Sequence, residues 1–274
     1  MSFPYTVPLT PGEVITTSLK QICPLGTPGR TADGRSYRYA KNGTVALAKG
    51  LLVQSAIPVT TAAIWEAASF ANLSTAAGTV AITSTYSYID VNTTRAGSMT
   101  IAADFFKEGC LWVSGTSTES GQMMRIKAHT ASSSGTAGQY ARFTIDDGYK
   151  VTQLIDSGSW VSVQKNPYDA VITTPTATLT GGIVGVPNCD VAASTTAIPV
   201  YFWAQTWGLC PIKADAVPGI GGIIISSTQL AGAIQGSTEL TASVTYAHRV
   251  PVGRGAGSAV TTDGFQLVHL TLEP

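Results

Sequence analysis

The sequence predicts a mainly β protein: a sandwich or barrel-like β body with an extended Pro-rich N-terminal arm and at most one or two short helices. Three observations carry this expectation. Short apolar runs rich in Val, Ile, Thr, Tyr and Trp recur along the chain, each bounded by Gly, Asn, Asp, Ser or Pro. Several of them alternate with period two, as half-buried strands require. Only one segment carries a helical stripe.

The first 36 residues hold prolines at 4, 8, 11, 24 and 28 and glycines at 12, 26, 29 and 34. Proline removes a ladder donor and disfavours helix, so residues 1–36 are expected to form an extended arm. The body is placed at residues 37–274. Its first part, "SYRYAKNGTVALAKGLLVQ" (36–54), reads as strand, Asn42-Gly43 turn, strand. The helix candidate is "TTAAIWEAASFANLS" (60–74), with Ile64, Ala68 and Ala71 on one stripe and Thr60 or Thr61 as N-cap.

From Thr79 the pattern returns to strands. "GQMMRIKAHT" (121–130) alternates, which places Met123, Arg125, Lys127 and His129 on one face and Met124, Ile126 and Ala128 on the other. The Ser/Gly-rich loop at 131–139 is a candidate subdomain break. "YARFTIDDGYKVTQLI" reads as strand, Asp-Asp-Gly turn, strand, and Pro167 stops the strand before it. Later strands are expected at "GGIVGV", "IPVYFWAQTW", "GGIIISS", "ASVTYAH" and "FQLVHLTLEP".

Chemistry is hard to find. Nucleophile elbows, Walker A loops and HExxH sequences are absent. "GRGAGS" (253–258) lacks the following helix whose N–H groups a phosphate cradle uses. His129, His248 and His269 are widely spaced at strand-like positions, and Asp146-Asp147-Gly148 is ordinary turn chemistry. The cysteines, Cys23, Cys110, Cys189 and Cys210, show no metal-ligand spacing, so free thiols and a reduced cytoplasmic origin are expected. No catalytic, cofactor or metal residue is therefore assigned, and the chain is expected not to be an enzyme.

Charge is sparse: 12% of residues are charged and the formal net charge is zero. A neutral, lightly charged surface favours association. Between residues 20 and 49, however, Lys20, Arg30, Arg35, Arg38, Lys41 and Lys49 stand against Asp33 alone. Such a segment suits an acidic partner surface. Nucleic acid is not expected, since only Tyr37 and Tyr39 are interleaved. The opening "MSFPYTVPLTPGE" lacks the basic and apolar regions of a secretory signal, and no apolar run reaches the length of a membrane span.

The densest aromatic stretch is "VYFWAQTWGLCPIKADA" (200–216). Simple alternation puts Tyr201, Trp203, Gln205 and Trp207 on one face and Phe202, Ala204 and Thr206 on the other. Both faces are apolar or aromatic, which favours a sheet interior or a subunit contact for Tyr201, Trp203 and Trp207. A ligand platform is the alternative, and a redox or metal corner at Cys210 is the weakest reading.

Several segments then carry a resemblance in this order: "DGRSYRYAKNGTVALAKGLLVQ" (33–54), "GQMMRIKAH" (121–129), "VQKNPYDAVI" (163–172), "GIVGVP" (182–187) and "YFWAQTWGLCPIKAD" (201–215). With these the chain resembles virion structural proteins of tailed double-stranded-DNA phages, of the head decoration or cement type. The resemblance implies a β-rich protein on the outer capsid, made in the host bacterial cytoplasm. It would bind the major capsid protein and itself, often as a trimer, and bridge capsomers. Arg30, Arg35, Arg38 and Lys41 are the expected capsid contacts, within a shell-binding segment at 1–49. The competing expectation is a carbohydrate- or receptor-binding virion or tail module that stacks ligand on Trp203 or Trp207.

Overall fold

A computed structural model describes residues 6–56, 64–67, 88–92, 102–114, 121–131, 140–149, 151, 160–176, 179–215, 219–237, 250–257 and 264–273. The fold is mainly β. The strands are β1 (Val7–Leu9), β2 (Pro28–Thr31), β3 (Ser36–Lys41), β4 (Val53–Gln54), β5 (Ile64–Ala67), β6 (Tyr88–Asn92), β7 (Cys110–Ser114), β8 (Met123–His129) and β9 (Tyr140–Ile145). They continue with β10 (Trp160–Gln164), β11 (Ile172–Thr173), β12 (Ile183–Pro187), β13 (Tyr201–Lys213), β14 (Ile223–Ser226), β15 (Ile234–Gly236), β16 (Pro251–Gly255) and β17 (Phe265–Thr271).

The chain divides into two compact units, and the boundaries fall at the Ile57–Pro58 and Asn166–Pro167 junctions. An inserted unit (58–166) interrupts a flanking unit built from 3–57 and 167–274. The sequence placed its candidate break at 131–139, of which all but Ala131 lies outside the described residues. Prolines mark both junctions, whereas composition changes little there, so local pattern did not reveal the insertion.

The inserted unit holds an antiparallel sheet in the order β5-β10-β7-β8-β9-β6. Ile64–Ala67, inside the predicted helix, is strand β5 paired with β10, and the rest of that helix lies outside the described residues. The core gathers Phe106, Leu111, Val113, Met124, Ile126, Phe143, Val161 and Val163. Regular alternation along β8 breaks between Ile126 and Ala128, where the register with β9 shifts. A bulge reverses the facing of everything beyond it. His129 is consequently buried at 5% exposure instead of sharing the outer face with Arg125 and Lys127.

His129 is a structural residue of this core. Its Nε2 accepts the Phe106 N–H at 2.9 Å, so the proton sits on Nδ1, which donates to the Thr130 carbonyl at 2.8 Å. The rings of Phe143 and Phe106 pack on it, with centroids 5.0 and 5.6 Å away. On the outer side Lys127 pairs with Asp147 at 2.8 Å, and Arg125 lies 3.8 Å from Glu108 and 4.0 Å from Asp146. The Asp-Asp-Gly turn thus serves its neighbouring strand.

In the flanking unit the strand order is β1-β2-β3-β13-β17-β16-β14-β15, with β12 also paired to β13, and β4 paired to β12 and β11. Among the described strands, all ladder pairings are antiparallel except β1 with β2. The segment expected as an extended arm is instead built into this sheet. β1 and β2 add to the β3 edge, Val14 is buried in a 3-10 turn (Glu13–Ile15), and Ser18 exchanges backbone hydrogen bonds with Tyr201 at 2.9 and 2.8 Å. The prolines fall where the ladder tolerates them, on the edge strand β1 and at the start of β2. What orders the segment is an aromatic cluster in its own chain: Leu9, Val14 and Leu25 pack with Tyr37, Tyr39, Tyr201 and Trp203. Asn42-Gly43 also differs from expectation, because β3 pairs with β2 and β13 and not with the chain that follows it. Asn42 is buried, and its amide nitrogen donates to the carbonyls of Val45 at 3.0 Å and Ala192 at 2.7 Å.

Burial depresses the His129 pKa below the ordinary histidine value. The unfolded chain then binds the proton more readily, near pH 6.5. Stability from this site is complete above about pH 6.5 and is lost as the pH falls toward the folded-state pKa, with a slope of at most about 1.4 kcal/mol per pH unit. Amide exchange at Phe106, corrected for its intrinsic pH dependence, should therefore accelerate between pH 7 and pH 5. His129→Phe should remove that acid-dependent step, and an unchanged pH profile in the variant would refute the assignment.

Candidate functional site

The candidate site is built by the 13-residue strand β13. In its first half both faces are covered. Tyr201 and Trp203 enter the aromatic cluster, while Phe202 and Ala204 join Ala40, Leu47, Val53, Val184 and Val200 on the other side. Tyr39 stacks on Tyr201 with centroids 5.8 Å apart and tilts against Trp203 at 5.0 Å. Gly29 makes room for this packing, because a Cβ there would lie 2.8 Å from the Trp203 ring. Trp203, 4% exposed, offers no surface for stacking a ligand.

The second half behaves differently, because the register with β3 shifts between Gln205 and Trp207. Gln205 lies opposite Tyr37 and Trp207 opposite Ser36. Tyr37 and Ser36 are consecutive and point to opposite faces of β3, so the extra residue, Thr206, moves Trp207 to the face opposite Trp203. Simple alternation had put them together. Beyond the bulge Cys210 and Ile212 point into a third core with Val252, Val268 and Leu270, and Trp207, Leu209 and Pro211 point outward.

The bulge is held by buried polar groups. The Gln205 amide nitrogen donates to the carbonyls of Trp207 at 3.1 Å and Leu209 at 2.9 Å. Its oxygen accepts from Asn188 Nδ2 at 3.0 Å, and the same nitrogen donates to the Tyr37 hydroxyl at 3.2 Å. Thr206 Oγ1 donates to the Glu273 carbonyl at 2.8 Å. Gly208 takes φ +88°, where a side chain is strained, and an added Cβ would lie 3.0 Å from Arg35 Cγ. Burial pushes the Tyr37 hydroxyl and the Cys210 thiol each up to about 12. Cys210 is therefore a protonated core thiol at neutral pH, which disfavours a redox or metal corner.

On the outer side the bulge opens a cleft of about 420 Å³ lined by Asp33, Gly34, Arg35, Trp207, Gly208, Leu209 and His269. Trp207 is half-buried and meets the His269 ring edge-to-face, with centroids 5.7 Å apart. Asp33 and Arg35 come from the turn between β2 and β3, where Arg35 Nε lies 2.8 Å from Asp33 Oδ2. A hydrogen bond from the Thr31 hydroxyl, reinforced by Arg35, holds the Asp33 carboxyl below its usual range. The lining has no hydroxyl or thiol nucleophile. Among the described residues, no group of three or more His, Cys, Asp or Glu side chains could hold a metal ion.

The four basic residues singled out from the sequence do not form one free patch. Arg38 pairs with Glu273 at 2.6 Å and Lys41 with Asp169 at 3.1 Å, so both tie β3 to other parts of the flanking unit. Arg35 belongs to the cleft, and Arg30 is exposed on β2. From the sequence, His269 reads as a strand histidine and Asp33 as the lone acid of a basic segment, and neither is assigned to a site. The usable signal was Gly208 within an apolar strand, which marks a bulge or a close approach.

Comparison of the chain with protein-family models, curated proteins and solved structures finds no match. Among the described residues, no helix is long and apolar enough to cross a membrane.

Replacing Gln205 with Leu leaves the Trp207 and Leu209 carbonyls without their donor, which should cost about 2–4 kcal/mol in urea unfolding. Gly208→Ala should redirect Trp207, read as a shift in its fluorescence maximum. Wild-type stability in Gln205→Leu would show that the amide does not hold the bulge.

Proposed function

We propose that the chain is a non-catalytic structural protein of a tailed-phage virion, which binds the outer capsid surface as a homo-oligomeric decoration or cement protein. The supporting observation is the outward face of β13 and β17. Leu267 lies opposite Pro211, Phe265 opposite Lys213, and His269 opposite Leu209. Phe265, Leu267 and Leu209 are 51%, 41% and 49% exposed, and Ile223 extends the apolar surface beyond Arg254. A regular sheet face with adjacent apolar side chains favours being covered.

The occupant proposed for this face is a second copy of the chain. The face is lightly charged, with Lys213 at one end and Arg254 between His269 and Ile223, so two copies meet without opposing large like charges. Many copies on a shell would then add modest contacts into strong attachment. The resemblance carried by segments such as 33–54 and 201–215 supports the head location and the major capsid protein as partner.

The ion pairs of Arg35, Arg38 and Lys41 change the proposed docking chemistry. These charges are balanced within the chain, so attachment to the shell draws less on the basic segment than on apolar area. Arg30 remains available to an acidic surface.

Light scattering of the purified chain should give a multiple of the 28.4 kDa monomer mass. Leu267→Glu should yield folded monomer and should lower the occupancy of capsids prepared without this protein by at least tenfold. An oligomeric wild type that neither binds such capsids nor raises their melting temperature would contradict the decoration role. Unchanged oligomer mass in Leu267→Glu would move the contact elsewhere.

A further inference from the structure

We infer that the cleft beside Trp207 is a binding site for a neutral saccharide, of the size of one to three hexopyranose units. This goes beyond the structural role: the cleft borders the outward face and shares Leu209 and His269 with it, but its Trp207 lies at the opposite end of the β13–β17 ladder from Phe265.

Three features of the cleft select this chemistry. The first is the half-buried Trp207 indole, a flat surface at the wall of a concavity. The C–H face of a pyranose is weakly positive and pairs with the negative face of an aromatic ring. The second is the Asp33–Arg35 pair, whose Nε to Oδ2 distance is 2.8 Å. The guanidinium keeps further N–H donors and the carboxylate further acceptor positions, and together they complement a vicinal pair of hydroxyls, each of which donates and accepts. The third is His269, packed edge-to-face against the indole and also lining the cleft, where its ring nitrogens add a donor or acceptor beside the stacking surface.

The charge arrangement disfavours the other ligand classes. Asp33 offsets Arg35, so a phosphate or carboxylate ligand gains little net attraction and meets a carboxylate at close range. A purely apolar ligand would strip water from Asp33 and Arg35 without replacing their hydrogen bonds. A neutral polyhydroxyl ligand satisfies these groups and still covers the indole. The volume of about 420 Å³ falls in the range of small-molecule sites.

The site is also preorganised. Thr31 fixes Asp33, Asp33 orients Arg35, and the Gln205 amide fixes the carbonyls on both sides of Gly208. Little conformational entropy remains to be lost on binding.

The test uses the intact chain labelled with 15N and titrated with maltotriose, cellotriose and triacetylchitotriose, following the assigned Trp207 indole N–H. At least one of these should shift that resonance saturably, with a dissociation constant below ~10 mM. Trp207→Phe should weaken binding a few-fold and Trp207→Ala tenfold or more. If Trp207→Ala does not fold, the wild-type shift and the Phe variant decide. No shift with any of the three sugars overturns the inference, as does a shift confined to other tryptophans. Binding of an acidic trisaccharide such as trigalacturonate without any neutral one also overturns it, by showing that Arg35 acts as an anion site.

Discussion

Burial of both faces of β13 over its first half is the constraint on which the flanking unit depends. Its side chains enter three separate apolar clusters: Tyr201 and Trp203 in one, Phe202 and Ala204 in a second, Cys210 and Ile212 in a third. Cys210 and Ile212 reach the third cluster on the face that carries Trp203 and Gln205 because the facing of β13 changes along its length. The bulge at Thr206 makes that change, and the Gln205 amide stabilises it from within the core. Large side chains such as Phe202 and Trp203 each bring about 2–3 kcal/mol of burial to this arrangement. The buried Gln205, Asn188 and Tyr37 network adds specificity of register, since any slip would leave its groups unpaired.

The same bulge generates the outward surface on which the proposed function rests. Before it, every side chain of β13 is enclosed. After it, alternate side chains face outward, first Trp207 into the cleft and then Leu209 and Pro211 onto the sheet face shared with β17. The N-terminal segment contributes the turn that carries Asp33 and Arg35, and it can do so because β1 and β2 are ordered against the aromatic cluster. Scaffold and surface are two consequences of one inserted residue.

The legible parts of the fold were those governed by local pattern. The strand class, the positions of β3, β8, β9, β12 and β13, and the Asp-Asp-Gly turn followed from alternation and turn chemistry. The misread parts depend on long-range partners. Bulges at β8 and β13 are invisible in a period-two pattern, and they misplaced His129 and Trp207. The Pro-rich arm looked extended because its partners, Tyr39, Tyr201 and Trp203, lie far away in sequence. Arg38 and Lys41 looked like a free basic patch for the same reason, since Glu273 and Asp169 are more than a hundred residues distant. The cleft joins residues 33–35 to 207–209 and 269, a grouping that only the antiparallel register of β3, β13 and β17 supplies.

Hydroxyl-radical footprinting, comparing the chain as dilute monomer with the chain in assembled particles, tests the central claim most directly. The account predicts that Phe265 and Leu267 are oxidised readily in the monomer and strongly protected after assembly, while buried Trp203 stays unreactive in both. Equal labelling of Phe265 and Leu267 in the two states would contradict it, because the outward face made available by the β13 bulge would then not be the surface through which the protein assembles.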